Sequence, residues 1–129
     1  MKNCELNINA SVSTVVDENN TAIAAQSGSL PVFATPFMVA LMEKATCDTV
    51  APYLEDGETT VGTKIDVAHN RASAIGTKIT ASAILKDLDG RKLVFEVEAK
   101  DDKDNIIGKG TIERFLVNSQ KFLSKLGWF

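Results

Sequence analysis

Hydrophobic positions along this chain change period twice. Residues 5–16 (ELNINASVSTVV) alternate, with Leu6, Ile8, Ala10 and Val12 on one side, which predicts a half-buried strand. DENNTA (17–22) predicts a turn. Residues 23–34, small and interrupted by Gly28 and Pro31, predict a loop. From Pro36 to Met42 the chain is apolar without a break, and then comes Glu43. Thr35 suits an N-cap and Pro36 the first helical position, while Pro52 and Asp56-Gly57 supply a stop, so a helix over 35–51 is predicted. It is apolar almost all round, which predicts burial by its neighbours.

From Thr59 onward the period is that of strands. TTVGTKIDVAHNRAS puts Val61, Thr63, Ile65, Val67 and His69 in one phase, and IGTKITASAILK puts Ile75, Thr77, Ile79, Ala81, Ala83 and Leu85 in one phase. Asp89-Gly90 is a hairpin signal leading into RKLVFEVEAK. DDKDN (101–105) predicts a turn before the last strand, IIGKGTIERFLVN, and residues 119–128 predict a short amphipathic helix with Phe122, Leu123 and Leu126 apolar. The order is strand, helix, then four strands in antiparallel succession. A sheet buries an apolar helix by curling around it, so the expected fold is α+β, a single domain over 1–129 with an antiparallel sheet wrapped around a long central helix. The free edges of such a sheet invite pairing with a second copy.

Composition narrows the function. The chain has 129 residues and a net charge of −3, with no Lys/Arg run, so nucleic acid is not expected as a partner. No apolar stretch approaches the ~20 residues of a membrane span, and MKNCELNINASVS lacks an apolar leader core and reads as a mature N-terminus. Cys4 and Cys47 are expected to be free thiols in a reducing cytoplasm. One histidine and two distant cysteines leave no structural zinc set, so no metal is expected.

Five residues are candidates for chemistry. Glu43 has mostly apolar helical neighbours. It is either solvated beside Lys44 or a carboxylate in a cleft. His69 continues the phase of Ile65 and Val67 at a strand end. It is either a hydrogen-bonded core or rim residue or a proton shuttle. Thr35 is a helix cap whose hydroxyl can also face a ligand. Gly62 marks a bulge or a close approach, and its backbone N–H is an oxyanion-donor candidate. Arg114, in phase with Ile112 and Leu116, is either a surface or rim residue or a contact for phosphate or carboxylate. Gly108 and Gly110 read as close-packing positions. The GKG they frame lacks a phosphate-loop pattern.

The segments TVVDENNTA, VFATPFMVALMEKA, TTVGTKIDVAH and GKGTIERFLV, in that order and spacing, resemble the hotdog-fold thioesterases of the fluoroacetyl-CoA thioesterase-like family over residues 13–117. The resemblance implies a hotdog fold and a catalytic Thr35, Glu43 and His69. It also implies a homodimer, or a dimer of dimers, with the site at the subunit interface and an acyl-CoA thioester as substrate. CoA is then part of the substrate, and no separate cofactor is expected. After the histidine, HNRASAIG carries Ser73 and Ala74 where such proteins carry Thr-Pro, and it keeps Gly76. Lys100, Lys103, Lys109 and Arg114 are the cations considered for the CoA nucleotide. The competing expectation is a non-catalytic hotdog dimer that binds an acyl-CoA or another small ligand. Trp128 and Phe129 are expected either exposed or packed on a partner.

Overall fold

The computed structural model describes residues 1–127, so the Trp128-Phe129 tail lies outside the described residues. The first strand, β1 (Asn9–Val15), is shorter than its alternating run, because Leu6 lies in a turn and is exposed. Within the expected loop a short helix forms, α1 (Ala22–Ala25). Thr21 Oγ1 accepts from the Ala24 N–H at 3.2 Å to cap it, and Gln26 ends it in the left-handed region at φ 56°. The long helix is α2 (Thr35–Val50), followed by one 3₁₀ turn at Ala51–Tyr53 that carries Pro52. Then come β2 (Glu58–His69), β3 (Lys78–Asp89), β4 (Lys92–Lys100), β5 (Ile106–Asn118) and α3 (Ser119–Lys125).

The five-stranded sheet has the order β1-β3-β4-β5-β2, and each neighbouring pair is antiparallel. The succession expected from the sequence holds for β3, β4 and β5. It fails for β2, which crosses over and pairs with β5 at the far edge. Gly90, at φ 63°, makes the β3–β4 hairpin. Ile79, Ala81, Ala83 and Leu85 on β3, and Leu93, Phe95, Val97 and Ala99 on β4, face one core with Met38, Met42, Ala45 and Val50 of α2. Burying these side chains is the main stabilising contribution of the fold. Ile75 falls before β3 and is exposed.

Two expectations about α2 are corrected. The residue at the cap position is Ala34, and Thr35 is the first helical residue. No side chain caps this end. The helix is also buried on one face only. The sheet covers Met38, Met42, Ala45, Thr46, Thr49 and Val50 and leaves Phe37, Ala40, Lys44, Cys47 and Asp48 exposed. The sequence showed no polar stripe because that open face is itself partly apolar.

On β2 a bulge between Gly62 and Lys64 shifts the phase. Gly62 lies opposite Arg114, and Ile65 lies opposite Ile112. Arg114 and Ile112 both face the core, so Thr60, Gly62, Ile65, Val67 and His69 share the inward face. Val61 and Thr63 do not share it, contrary to the expected alternation, because the bulge inserts an extra residue. Along β5 the glycines set the spacing. A Cβ on Gly108 would meet the Ala68 carbonyl at 2.6 Å and Met38 Sδ at 2.7 Å, and a Cβ on Gly110 would collide with the Asp66 carbonyl. Bare backbone at Gly108 lets α2 approach the strand that ends in His69.

Gly110→Ala is expected to force β2 away from β5 and cost about 1–3 kcal/mol of stability. Denaturant unfolding will show it as a lower midpoint at unchanged slope. An unchanged midpoint would mean that β2 yields freely at this position.

Candidate active site

Thr35 begins α2, and His69 ends β2, so a helix start and a strand end converge. Thr35 Oγ1 and His69 Nδ1 share a hydrogen bond of 2.7 Å. His69 Nε2 is buried and has no partner among the described residues. Burial holds the imidazole pKa below its ordinary value, with a main-chain hydrogen bond at Arg71 opposing the shift. A neutral ring with one nitrogen engaged and the other free is the state a proton acceptor needs. Beside it lies a pocket of about 220 Å³ lined by Thr35, His69, Asn70, Arg71, Ala22 and Val32, among others.

Glu43 belongs to a second cluster. Arg114 is buried on β5, with its side chain 8% exposed. A buried guanidinium needs both a counter-charge and hydrogen-bond acceptors. It finds them in two residues. Nη1 donates to Glu43 Oε2 at 3.0 Å, Nε donates to Thr60 Oγ1 at 2.9 Å, and Nη2 donates to the Thr60 carbonyl at 2.9 Å. Gly62 lies against this pair: a Cβ there would sit 2.6 Å from Glu43 Oε2 and 3.3 Å from Arg114 Nη1. The glycine therefore makes room for the carboxylate as well as sitting at the bulge. Glu43 is 36% exposed, and its Oε1 makes no hydrogen bond among the described residues. Half of the carboxylate is held and half is open. Arg114, read from the sequence as a rim or ligand-contact residue, spends these three bonds on the protein itself.

The five candidates thus form two groups within one chain, Thr35 with His69 and Glu43 with Gly62 and Arg114. Gly62 and His69 are seven residues apart on β2, roughly 20 Å at ~3.3 Å per residue. Thr35 and Glu43 are eight residues apart on α2, about 12 Å. The sequence did not point to Thr60, since nothing local marks a threonine that receives an arginine from another strand. Nor did it point to Arg71, whose one signal is its place two residues after His69. None of the four cations considered for the CoA nucleotide lines the Thr35–His69 pocket. Lys109 lines a larger groove of about 730 Å³ with Asp66, Ser82, Glu96 and Glu98, which holds none of the five candidates. No group of three or more His, Cys, Asp or Glu able to hold a metal ion occurs among the described residues.

Comparison with known proteins places the chain in a family. The family model of the fluoroacetyl-CoA-specific thioesterase FlK matches residues 16–120. The chain belongs to that thioesterase family. A curated relative, the fluoroacetyl-CoA thioesterase of Streptantibioticus cattleyicolor, is 46% identical over 95 residues, covering 74% of this chain and 68% of the relative. The solved structure of the fluoroacetyl-CoA thioesterase superposes with a TM-score of 0.91 at 35% identity, covering 98% of both chains. A Thermus thermophilus member of the thioesterase superfamily gives 0.90 at 26% identity, covering 98% of this chain and 93% of its own. A hot-dog-like protein of Thermanaerovibrio acidaminovorans, at 19% identity and TM-score 0.84, shares the fold over 95% of this chain and 90% of its own. The family and the hotdog fold are those expected from the sequence.

Thr60→Val removes the hydroxyl that accepts from Arg114 Nε and leaves a buried N–H without a partner. Chemical unfolding is expected to show a loss of about 1–3 kcal/mol, with Thr60→Ser restoring most of it. Equal stability of Thr60→Val and wild type would show that Arg114 Nε does not depend on this hydroxyl.

Proposed function

We propose that this protein hydrolyses an acyl-CoA thioester to free acid and CoA, and that it does so as a homodimer whose two composite sites each draw on both subunits. The observation that carries the reading is the split site. A proton-accepting His69 ends one edge strand and a half-free Glu43 carboxylate lies beside Gly62 in the middle of that strand, too far apart to act together within one chain. The run Gly62–Asp66 is exposed throughout, and Ile65 is 42% exposed. Antiparallel pairing of β2 with the same strand of a second copy, centred at Ile65 and Asp66, brings Gly62 of one copy opposite His69 of the other. It also covers an edge that otherwise offers unpaired N–H and C=O groups.

In that arrangement water attacks the thioester carbonyl carbon. Glu43 Oε1 draws the proton from water, or attacks the carbon itself in a two-step route. Arg114 fixes Oε2 and keeps the carboxylate oriented, so its part is played through Glu43. The Gly62 N–H stabilises the developing oxyanion. His69, steadied by Thr35, takes up the proton released by the water and passes it to the departing thiolate, so Glu43 and the imidazole end as they began and the products are a carboxylic acid and CoA thiol. A cytoplasmic setting agrees with Cys4 and Cys47, which form no disulfide. No helix among the described residues is long and apolar enough to cross a membrane.

Thiol release from a panel of short, aromatic and long acyl-CoA thioesters tests the reading. Turnover of at least one is expected, with losses of ~10²-fold or more in His69→Ala and in Glu43→Ala. Mixing the two inactive variants is expected to restore about a quarter of wild-type turnover, because half of the dimers are mixed and each mixed dimer carries one intact composite site. No recovery from subunits shown to exchange would place the whole site in one chain. Acyl-CoA retained intact by the wild type would favour the binding dimer instead.

The pH dependence follows from His69. Its folded pKa is lowered, so the unfolded chain takes up the proton first as pH falls. The stability this group contributes is present above ~6.5, the ordinary imidazole value, and is lost as pH drops through the lowered one. Activity that needs neutral His69 is expected to hold from neutral pH down to about 6.5 and to fall below it. A rate profile already falling between pH 8 and 7 would assign the acid limb to another group.

A further inference from the structure

The Thr35–His69 pocket has one cation in its lining. The peptide N–H groups of Asn70 and Arg71 both donate to the Ile107 carbonyl, at 2.8 and 3.2 Å, so the chain leaving His69 is pinned to the start of β5. Arg71 therefore projects from a fixed backbone. Its Nε lies 3.7 Å from Asp101 Oδ2. Asp101 is itself fixed, since its Oδ1 accepts from the Lys103 and Asn105 N–H groups and its Oδ2 accepts from Asn105 Nδ2. Burial works against the Asp101 charge, but these hydrogen bonds and the nearby guanidinium outweigh it and hold its pKa below the usual value. The two terminal guanidinium nitrogens of Arg71 make no hydrogen bond among the described residues, and the side chain is 58% exposed. No carboxylate lines the pocket.

We propose that Arg71 binds an anionic group of the substrate, a carboxylate or phosphate oxygen, at the rim of the Thr35–His69 pocket. The inference rests on the thioesterase reading and adds a residue that selects the substrate. Asp101 positions the guanidinium through Nε, and the open terminal nitrogens present the paired N–H geometry that suits two oxygens of one anion. Two sources can supply that anion, a carboxylate at the end of the acyl group or a phosphate of the CoA nucleotide. Because the rim is half-exposed, the contact weakens as salt rises. Arg71 is expected to act on substrate capture, hence on KM and kcat/KM, and to leave the chemical step at Thr35, His69 and Glu43 in place.

The test compares wild type with Arg71→Ala on acetyl-CoA, succinyl-CoA and acetyl-pantetheine, at low and at high salt. The variant is expected to lose about tenfold in kcat/KM, through KM, on at least one CoA thioester and to keep its activity on acetyl-pantetheine. Equal losses on both CoA thioesters identify a phosphate. A loss confined to succinyl-CoA identifies the acyl carboxylate. No change on either CoA thioester, or the same loss on acetyl-pantetheine, overturns the proposal, as does a loss independent of salt. A wild type that hydrolyses neither these three nor any thioester of the wider panel overturns the thioesterase reading instead. Calorimetry with CoA and with succinate then decides the anion site. Binding weakened by Arg71→Ala keeps it, and binding that is absent or unchanged removes it.

Discussion

The side chains by which α2, packed mainly over β1 and β3, reaches the β2–β5 pair are the constraint on which this structure turns. Side chains normally hold a helix well away from a sheet, but Gly108 leaves a gap that Met38 fills, and Gly62 leaves one beside the Glu43 carboxylate. At the first gap the helix comes near enough for Thr35 to bond His69. At the second the carboxylate reaches a guanidinium on the far strand. One helix, packed mainly over β1 and β3 and reaching across to β2 and β5 with its side chains, thus prepares both ends of the candidate site. Larger side chains at these positions would lift the helix and separate both contacts.

The two ends are prepared by opposite electrostatics. At the His69 end, desolvation without a counter-charge favours the neutral ring and leaves Nε2 available. At the Glu43 end, a buried guanidinium requires an anion, and the helix supplies it. Replacing Glu43 by a neutral residue would leave Arg114 buried and uncompensated, so the site and the fold share this pair. The carboxylate in an apolar helix is explained first as a counter-charge, and its second oxygen remains open for chemistry.

Much of the fold was legible in local pattern. The apolar run from 36 with its start and stop signals gave the central helix, and the alternation of 78–99 gave the hairpin strands β3 and β4, because their burial is regular. The Asp89-Gly90 turn was readable because positive φ has a residue signature. Local pattern failed where partners are remote. The phase of β2 was misread at Val61 and Thr63 because a bulge is decided by pairing with β5. Thr35 was taken for a cap because a hydroxyl at a helix start normally bonds its own backbone, whereas here His69 offers it a partner 34 residues away.

By itself, the sequence determined most of the elements and the family, and it singled out five candidate residues, through periodicity and through motifs whose order and spacing are local properties of the chain. Only the tertiary structure decided how those residues are grouped. It put β2 beside β5 at an open edge, joined Glu43 to Arg114 across 71 residues, enlisted Thr60, and placed Arg71 in the lining of the pocket. The physical reason is that strand order, register and the burial of a charge are set by contacts between segments far apart in the chain. No window of sequence contains both partners of such a contact.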